Sequence, residues 1–477
     1  MNDRVLALYD FASKQEYIYR TSRIKEISGA SLLLSGIYKE FAKILSAGNI
    51  RLKYDLSDEF RVDTFNSNDA IDGEVLYDGG GNLMVLWKSE GVCKRANSLI
   101  SVHLLKKAPG LSMIASYVPF TGIFDDVKEG GATTVGDRTK LYRENARRKN
   151  LFPAYDMPAV LPFTQIDVAT FLPVTYKRNK DASNSVYPAA ACSLSSDRFA
   201  KANQYKTTYT DSTDPFAKED QEMMAVIYID GNAMGNKLIA CRSQSYDEGV
   251  AKLRKFSQQV NSYFIDSPVQ AIQKQNYAFR LVIGGGDEIT LICRAKDAFE
   301  IMKIYFDDLS TSGKAFECTS CAGISVFHAK SPFNVAYSIA EAACEEAKKK
   351  AHKKDGNFFC FYYCHSGITN TFDRLHEAEQ KHASGKPYET GDLARIETYA
   401  GMLNAAGRSN VKALGSAAQR GPVDYRFEVQ RINAYLKKDE TKFTGDEQEM
   451  KLVYDMSEFY DLWFAKEGNN DDQNASA

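Results

Sequence analysis

Asp287 and Glu288 directly follow three glycines, at 284, 285 and 286, and the group lies between two strand-like runs, Phe279-Arg-Leu-Val-Ile283 and Ile289-Thr-Leu-Ile-Cys293. Glycines accept positive backbone torsions and let a phosphate come close to the main chain, so the pattern reads as a hairpin with an acidic tip. Neighbouring carboxylates repel each other, and a cation relieves the repulsion. An all-oxygen donor set suits Mg²⁺ or Mn²⁺. A third carboxylate, Asp230, ends the apolar run Met224-Ala-Val-Ile-Tyr-Ile229 and precedes Gly231-Asn-Ala-Met-Gly235. Carboxylates from separate strands that clamp two divalent ions are the machinery of in-line phosphoryl transfer, and the pattern points to nucleotidyl transfer. A glycine hairpin or an Asp-Gly turn alone is an ordinary loop; the combination in this order carries the chemical reading.

The order of elements around these residues is strand (224–230), long helix (247–275), strands (278–283 and 288–294), helix (296–311), strand (318–327), helix (333–353) and strand (357–363). Apolar residues Leu253, Phe256, Val260 and Phe264 repeat at three-to-four spacing along the long helix. A βαββαβ unit of this kind sets its helices on an antiparallel sheet and brings the end of its first strand beside the hairpin, so Asp230 should meet Asp287 and Glu288. The first 150 residues repeat the plan: Val5-Leu-Ala-Leu-Tyr-Asp10 parallels the strand ending in Asp230, a helix follows from about Ala30, and Glu74 to Trp87 parallels the glycine hairpin. Where the second copy has Asp287 and Glu288 after its glycines, the first has Asn82 and Leu83. Asp10 and Asp78 alone are a poor cage for two ions, so the first copy reads as a structural partner that completes the site within one chain.

The fold class expected is α+β: two ferredoxin-like domains, the first degenerate, plus a C-terminal helical domain. The boundaries are 1–150 for the first, 151–221 for an insert or linker, 222–370 for the catalytic copy, 371–465 for the helical domain and 466–477 for a disordered tail, which lacks apolar anchors.

With 477 residues, 44% hydrophobic and 26% charged, and a formal charge of −2, the composition is that of a balanced globular protein with no global basicity. Nucleic-acid contact would have to be local, and Arg143–Lys149 and Lys348–Lys354 are the basic runs available for it; a solvated helix face is the plain alternative. The opening residues run straight into a strand without a leader-like pattern, no stretch approaches a membrane span, and nine cysteines without a regular framework fit a reducing compartment, so a cytoplasmic location is expected. Cys318-x-x-Cys321 and Cys360-x-x-x-Cys364 look like zinc half-sites, but residues three apart on a strand point to opposite faces, which favours ordinary cysteines.

These residues together resemble a known family, the palm-domain large subunit of type III CRISPR effector complexes. The resemblance is carried by Gln15–Ser31 and the Tyr-Asp-Gly-Gly-Gly hairpin in the first copy, and by Asp230–Gly235, Gly285-Gly-Asp-Glu288, Ala322–His328, Lys330-Ser-Pro332 and Ala347-Lys348 in the second. It implies an ATP-dependent enzyme that makes cyclic oligoadenylates for antiviral defence, with two Mg²⁺ or Mn²⁺ ions. Asp230, Asp287 and Glu288 would be metal ligands and catalytic residues, Glu288 standing where the family's usual second aspartate would be. Gly231, Asn232, Gly235, Gly284, Gly285, Gly286 and Lys348 would bind the nucleotide. Guide or target RNA and other type III subunits are the partners implied, and no membrane. None of the six histidines precedes an aspartate, so the HD nuclease of many relatives is not expected, and Cys192 is the lone cysteine from 94 to 240, where relatives often have a zinc ribbon.

Two other readings compete. Gly-Gly-Asp-Glu also matches GGDEF-like cyclases that make cyclic dinucleotides, although Ile289 replaces their phenylalanine and those enzymes usually pair identical chains. A non-catalytic scaffold of a type III ribonucleoprotein is the reading from outside enzymology.

Overall fold

The computed structural model describes residues 3–19, 24–108, 111–129, 132–151, 176–177, 186–187, 223–317, 319–329, 331–364, 372–381, 384–436 and 442–465. Most of the expected insert, the tail 466–477, and Cys192, Cys318 and Lys330 lie outside the described residues.

Alternating apolar residues build the first sheet. Its strands are β1 (Val5–Ala12), β2 (Leu52–Lys53), β3 (Gly73–Gly79), β4 (Asn82–Trp87) and β5 (Ser112–Pro119), and they lie in the order β2-β3-β4-β1-β5. Helices α1 (Lys14–Ile18), α2 (Ile24–Ala47), α3 (Val62–Ser67), α4 (Glu90–Lys107) and α5 (Asp137–Leu151) accompany it. Helix α2 starts earlier than the expected Ala30.

The second sheet comprises β6 (Met223–Gly231), β7 (Phe279–Gly285), β8 (Glu288–Arg294), β9 (Ser320–His328), β10 (Phe358–Tyr363) and β11 (Tyr388–Glu389), in the order β7-β8-β6-β9-β10-β11. Its helices are α6 (Met234–Ala240), α7 (Tyr246–Asn261), α8 (Ser267–Lys274), α9 (Ala298–Ser312) and α10 (Phe333–Ala351). The long helix expected over 247–275 is α7 and α8 joined through a π turn, Ser262–Asp266. In both sheets the first strand of the unit is central, flanked by the third and fourth, which is the ferredoxin-like arrangement.

The two copies share register down to an irregularity. The β3–β4 ladder slips between Val75 and Tyr77, and the β7–β8 ladder slips between Leu281 and Ile283, the matching positions. Gly79 pairs with Asn82 as Gly285 pairs with Glu288. Asn82 is therefore the counterpart of Glu288, and Gly81 that of Asp287, one position away from the match expected from the glycine triplets. Strand pairing follows the apolar alternation of the strands, and the glycine count does not set it.

Helix α7 ties the palms together. Tyr246, Val250 and Leu253 pack into the first palm's core, while Phe256 and Val260 belong to the second's. From the same helix the buried Arg254 donates to the carbonyls of Leu76 and Val75, at 2.8 Å each, and of Asp58 at 2.5 Å. A separate apolar cluster runs from α2 and β1 through β6 and α10, so the first palm backs onto the helix that covers the second sheet.

Beyond β10 the chain forms α11 (Phe372–Lys381), α12 (Leu393–Ala406), α13 (Arg408–Arg420), α14 (Pro422–Tyr435) and α15 (Glu447–Phe459). Helices α12 to α15 share one core with the second sheet, where Phe361 of β10 meets Phe459 and Trp463 edge-on, at 4.9 and 5.3 Å between centroids, while α11 packs on the cluster around α10. No helix among the described residues is long and apolar enough to cross a membrane.

Candidate active site

Asp230 sits at the end of β6, one residue before the strand stops, and pairs directly across the ladder with Glu288. Their side chains therefore rise from the same face. Gly286 takes a positive φ at the hairpin tip, and the backbone N–H of Gly231 donates to the Asp287 carbonyl at 3.1 Å, which locks the tip against the end of β6. A Cβ at Gly231 would come within 2.8 Å of the Asp287 Cβ, so only glycine permits this approach. The three carboxylates that the sequence singled out are thus brought together.

The chain then turns sharply. Ala233, a non-glycine residue at φ 54°, stands between β6 and α6 in a conformation that an L side chain rarely takes. Asn232 holds the turn: its amide group donates to Thr319 Oγ1 at 3.2 Å and to the Gly356 carbonyl at 3.1 Å. The Asn232 side chain is committed to the protein, whereas Gly235 opens toward space on α6. Gly284 and Gly285 lie in the last turn-ward residues of β7, and nothing stands within 4 Å of a Cβ built on Gly285.

Helix α10 crosses beneath the acidic face and presents Tyr337, Glu341, Cys344 and Lys348 at helical spacing. Lys348 forms an ion pair with Asp230. Burial lowers the Lys348 ammonium, and Asp230 outweighs it, so its pKa is raised. Glu341 faces the same group: burial pushes its carboxyl up, and Asp230 adds to the effect. Burial, then the neighbouring Asp230, push Asp287 up to about 6. Burial, then Asp230, Glu341 and Asp287, push Glu288 up to about 7. Oε1 of Glu288 is buried with no hydrogen-bond partner.

That orphaned oxygen, with four carboxylates and one ammonium, describes a site short of positive charge. The donors are hard oxygens and fit Mg²⁺ or Mn²⁺. Among the described residues no group of three or more acidic, His or Cys side chains is arranged to hold a metal ion, and Lys348 holds Asp230.

Residues 223–357 match the family model described as Cas10/Cmr2, second palm domain. The chain thus carries a Cas10/Cmr2-type second palm. Its fold is similar to that of the Csm1–Csm4 cassette solved in complex with pppApA, at a TM-score of 0.55 and 15% identity over 98% of this chain and 70% of that one. The cassette in complex with one ATP gives 0.54 and 15% over 96% and 70%. Csm1 in T. onnurineus gives 0.51 and 14% over 96% and 70%. No curated protein sequence matches the chain significantly.

The first palm shows what the counterpart position became. Asp10 occupies the register position of Asp230, but Lys14 reaches it at 2.7 Å and Lys149 at 2.5 Å, and Asn145 donates to it at 3.1 Å. Burial pushes the Asp10 carboxyl up, and the two ammonium groups outweigh burial and hold it below its ordinary value. Protein cations supply here the positive charge that the second palm lacks. The two hairpins nevertheless face each other, since a Cβ on Gly286 would lie 3.9 Å from the Cα of Gly80.

Sequence reasoning missed two contributors. Glu341 lies 53 residues beyond Glu288, and its approach depends on how α10 crosses the sheet. Tyr19, from the first palm, stacks on Tyr337 at 3.8 Å between centroids and closes the side of the site next to Glu288. A signal for Glu341 existed in its four- and seven-residue spacing from Tyr337 and Lys348 on one helical stripe.

Proposed function

We propose that this chain is a metal-dependent nucleotidyl cyclase that joins ATP into cyclic oligoadenylates, acting as the large subunit of a type III CRISPR-type complex in antiviral defence. The observation that carries this reading is the meeting of Asp230, Asp287 and Glu288 at a glycine hairpin with too little positive charge around them. Matches to a Cas10/Cmr2 second palm and to cassettes solved with ATP and pppApA support the choice of nucleotide.

Asp230, Asp287 and Glu288 would hold Mg²⁺ or Mn²⁺. The ions, when bound, would activate a ribose hydroxyl and neutralise the leaving pyrophosphate. In the reaction a 3′-oxygen forms a bond to an α-phosphorus, the bond to the pyrophosphate breaks, and the hydroxyl proton passes to solvent. Glycines 284 to 286 leave room for phosphates beside their N–H groups, and Lys348, on releasing Asp230, would serve as a point cation for triphosphate charge. The first palm would supply the opposite wall. A Csm4-like subunit is the partner that the similar cassettes suggest.

The test is incubation of the pure chain with ATP, and separately GTP, plus Mg²⁺ or Mn²⁺, alone and with its co-purifying subunits and RNA, followed by mass spectrometry. Cyclic oligoadenylate formed by the wild type and lost in Asp287→Ala with Glu288→Ala supports the proposal. GTP dimers alone would replace it with the cyclic dinucleotide reading, and absence of product in every arm would leave a scaffold.

A further inference from the structure

Helices α5 and α6 belong to different palms, and the groove between them encloses a cavity of about 390 Å³, a volume that suits a small molecule. Tyr142, Ala146, Leu238 and Ile239 form apolar walls, and the charged residues on the lining are three arginines, Arg138, Arg143 and Arg242, with no carboxylate among the described residues. Arg143 and Arg242 are exposed at the rim and form no ion pair among the described residues, whereas Arg138 is buried, at 6% exposure.

A buried guanidinium ordinarily spends its fork of N–H donors on acceptors. Arg138 spends only Nε, which donates to Asp125 Oδ1 at 2.6 Å; the group lies 5.4 Å from the Phe124 ring centroid, and its Nη groups make no hydrogen bond among the described residues. Donors left over on a buried group that lines a cavity point to an acceptor brought in from outside, and a carboxylate matches their planar geometry. The walls require an apolar body on the same molecule. Asp126 stands off the lining, where it accepts the Gly136 N–H at 2.9 Å, and tempers the charge of Arg242 and Arg143, which favours a singly charged anion over a polyphosphate.

We propose that the α5–α6 groove binds a small amphipathic monocarboxylate, its carboxylate on the unspent fork of Arg138, its apolar body between Tyr142, Leu238 and Ile239, with Arg143 and Arg242 drawing the charge in from the rim. Ile239, 52% exposed, leaves the slot open to an entering molecule. The groove lies where the palms meet: α5 also carries Asn145 and Lys149, which hold Asp10, and α6 starts after the strained turn that follows Asp230. An occupant therefore bridges elements tied to both of these aspartates. The inference does not rest on the nucleotide reading, and its test needs neither ATP nor a divalent ion.

Titration calorimetry of the full chain with octanoate, in EDTA, tests it. Octanoate should bind at one site per chain, and octanamide, which keeps the body without the charge, about tenfold more weakly. Arg138→Lys keeps a cation for Asp125 but loses the fork, and should also weaken octanoate about tenfold. Ile239→Glu alters an exposed position and sets a like charge beside the slot, so it should abolish binding in a folded chain. At saturating octanoate, hydrogen exchange should slow in α5 and α6 and stay unchanged in α10. No binding by the wild type, equal binding of octanamide, full affinity in both variants, displacement of octanoate by inorganic phosphate or a short RNA at lower concentration, or protection confined to other elements would each overturn the proposal.

Discussion

Glu288 stands opposite Asp230 on adjacent antiparallel strands, and Asp230 adds to the burden that burial places on Glu288, while Lys348 forms its ion pair with Asp230. The imbalance has consequences for stability that do not depend on which nucleotide the site uses.

Asp287 and Glu288 have folded-state pKa values raised to about 6 and about 7, above their ordinary 3.8 and 4.5. The native chain therefore holds protons that the unfolded chain gives up. Their contribution is fully present below about pH 4 and is lost as pH rises through 6 to 7. Between pH 5.5 and 8 in EDTA, the wild type should lose more thermal stability than an Asp287→Asn/Glu288→Gln variant does. Calorimetry at matched ionic strength checks this, and parallel pH profiles would contradict it.

Lys348→Ala removes the cation paired with Asp230. A fully buried pair broken on one side loses about 3–5 kcal/mol, and these side chains are 18% and 21% exposed, so about 2 kcal/mol is the expected loss in metal-free protein. Addition of Mn²⁺ should restore most of it, because the cation takes over the same charge. Urea unfolding with and without Mn²⁺ measures both values.

Arg254→Met should cost about 3 kcal/mol, since three carbonyls of the first palm lose a buried charged donor at once. The palms meet through that side chain, so hydrogen exchange should quicken in β3 before it does in β9. Uniform quickening would place the loss elsewhere.

Gly323→Ala probes the seat of α10. A Cβ there would fall 1.9 Å from the Ala340 carbonyl oxygen and 2.5 Å from the Cys344 nitrogen, both backbone atoms that cannot swing aside. The helix must lift, at about 1–3 kcal/mol, and Glu341 and Lys348 move with it. Product formation should fall with it, and Gly323→Ser, which carries the same Cβ, should lose at least as much, while an alanine at the open Gly285 position leaves stability within about 1 kcal/mol.

The hairpins and the strand ending in Asp230 were readable from sequence because both features are local: apolar alternation fixes the strands, and glycine permits the turn. Their convergence was readable too, since the βαββαβ order leaves one way to pair the strands. The one-residue match of Asn82 to Glu288 was not, because the slips at Val75/Tyr77 and Leu281/Ile283 arise from ladder pairing that a glycine count does not register. Glu341, Tyr19 and Arg254 were also hidden. Each acts across a packed interface; Tyr19 and Arg254 give no periodic signal toward the groups they touch, and the helical stripe of Glu341 with Tyr337 and Lys348 does not say which face meets the sheet. The lysines on Asp10 explain why the first copy keeps an aspartate without its acidic neighbours: the charge is already balanced within the protein.

The facing of Gly80 and Gly286 across the two palms has a kinetic meaning. Both walls of the candidate site are encoded in one polypeptide, so its assembly does not wait on a collision between molecules. The rate per chain should stay constant on dilution, where for a site shared between identical subunits it would fall in proportion to concentration once the pair dissociates.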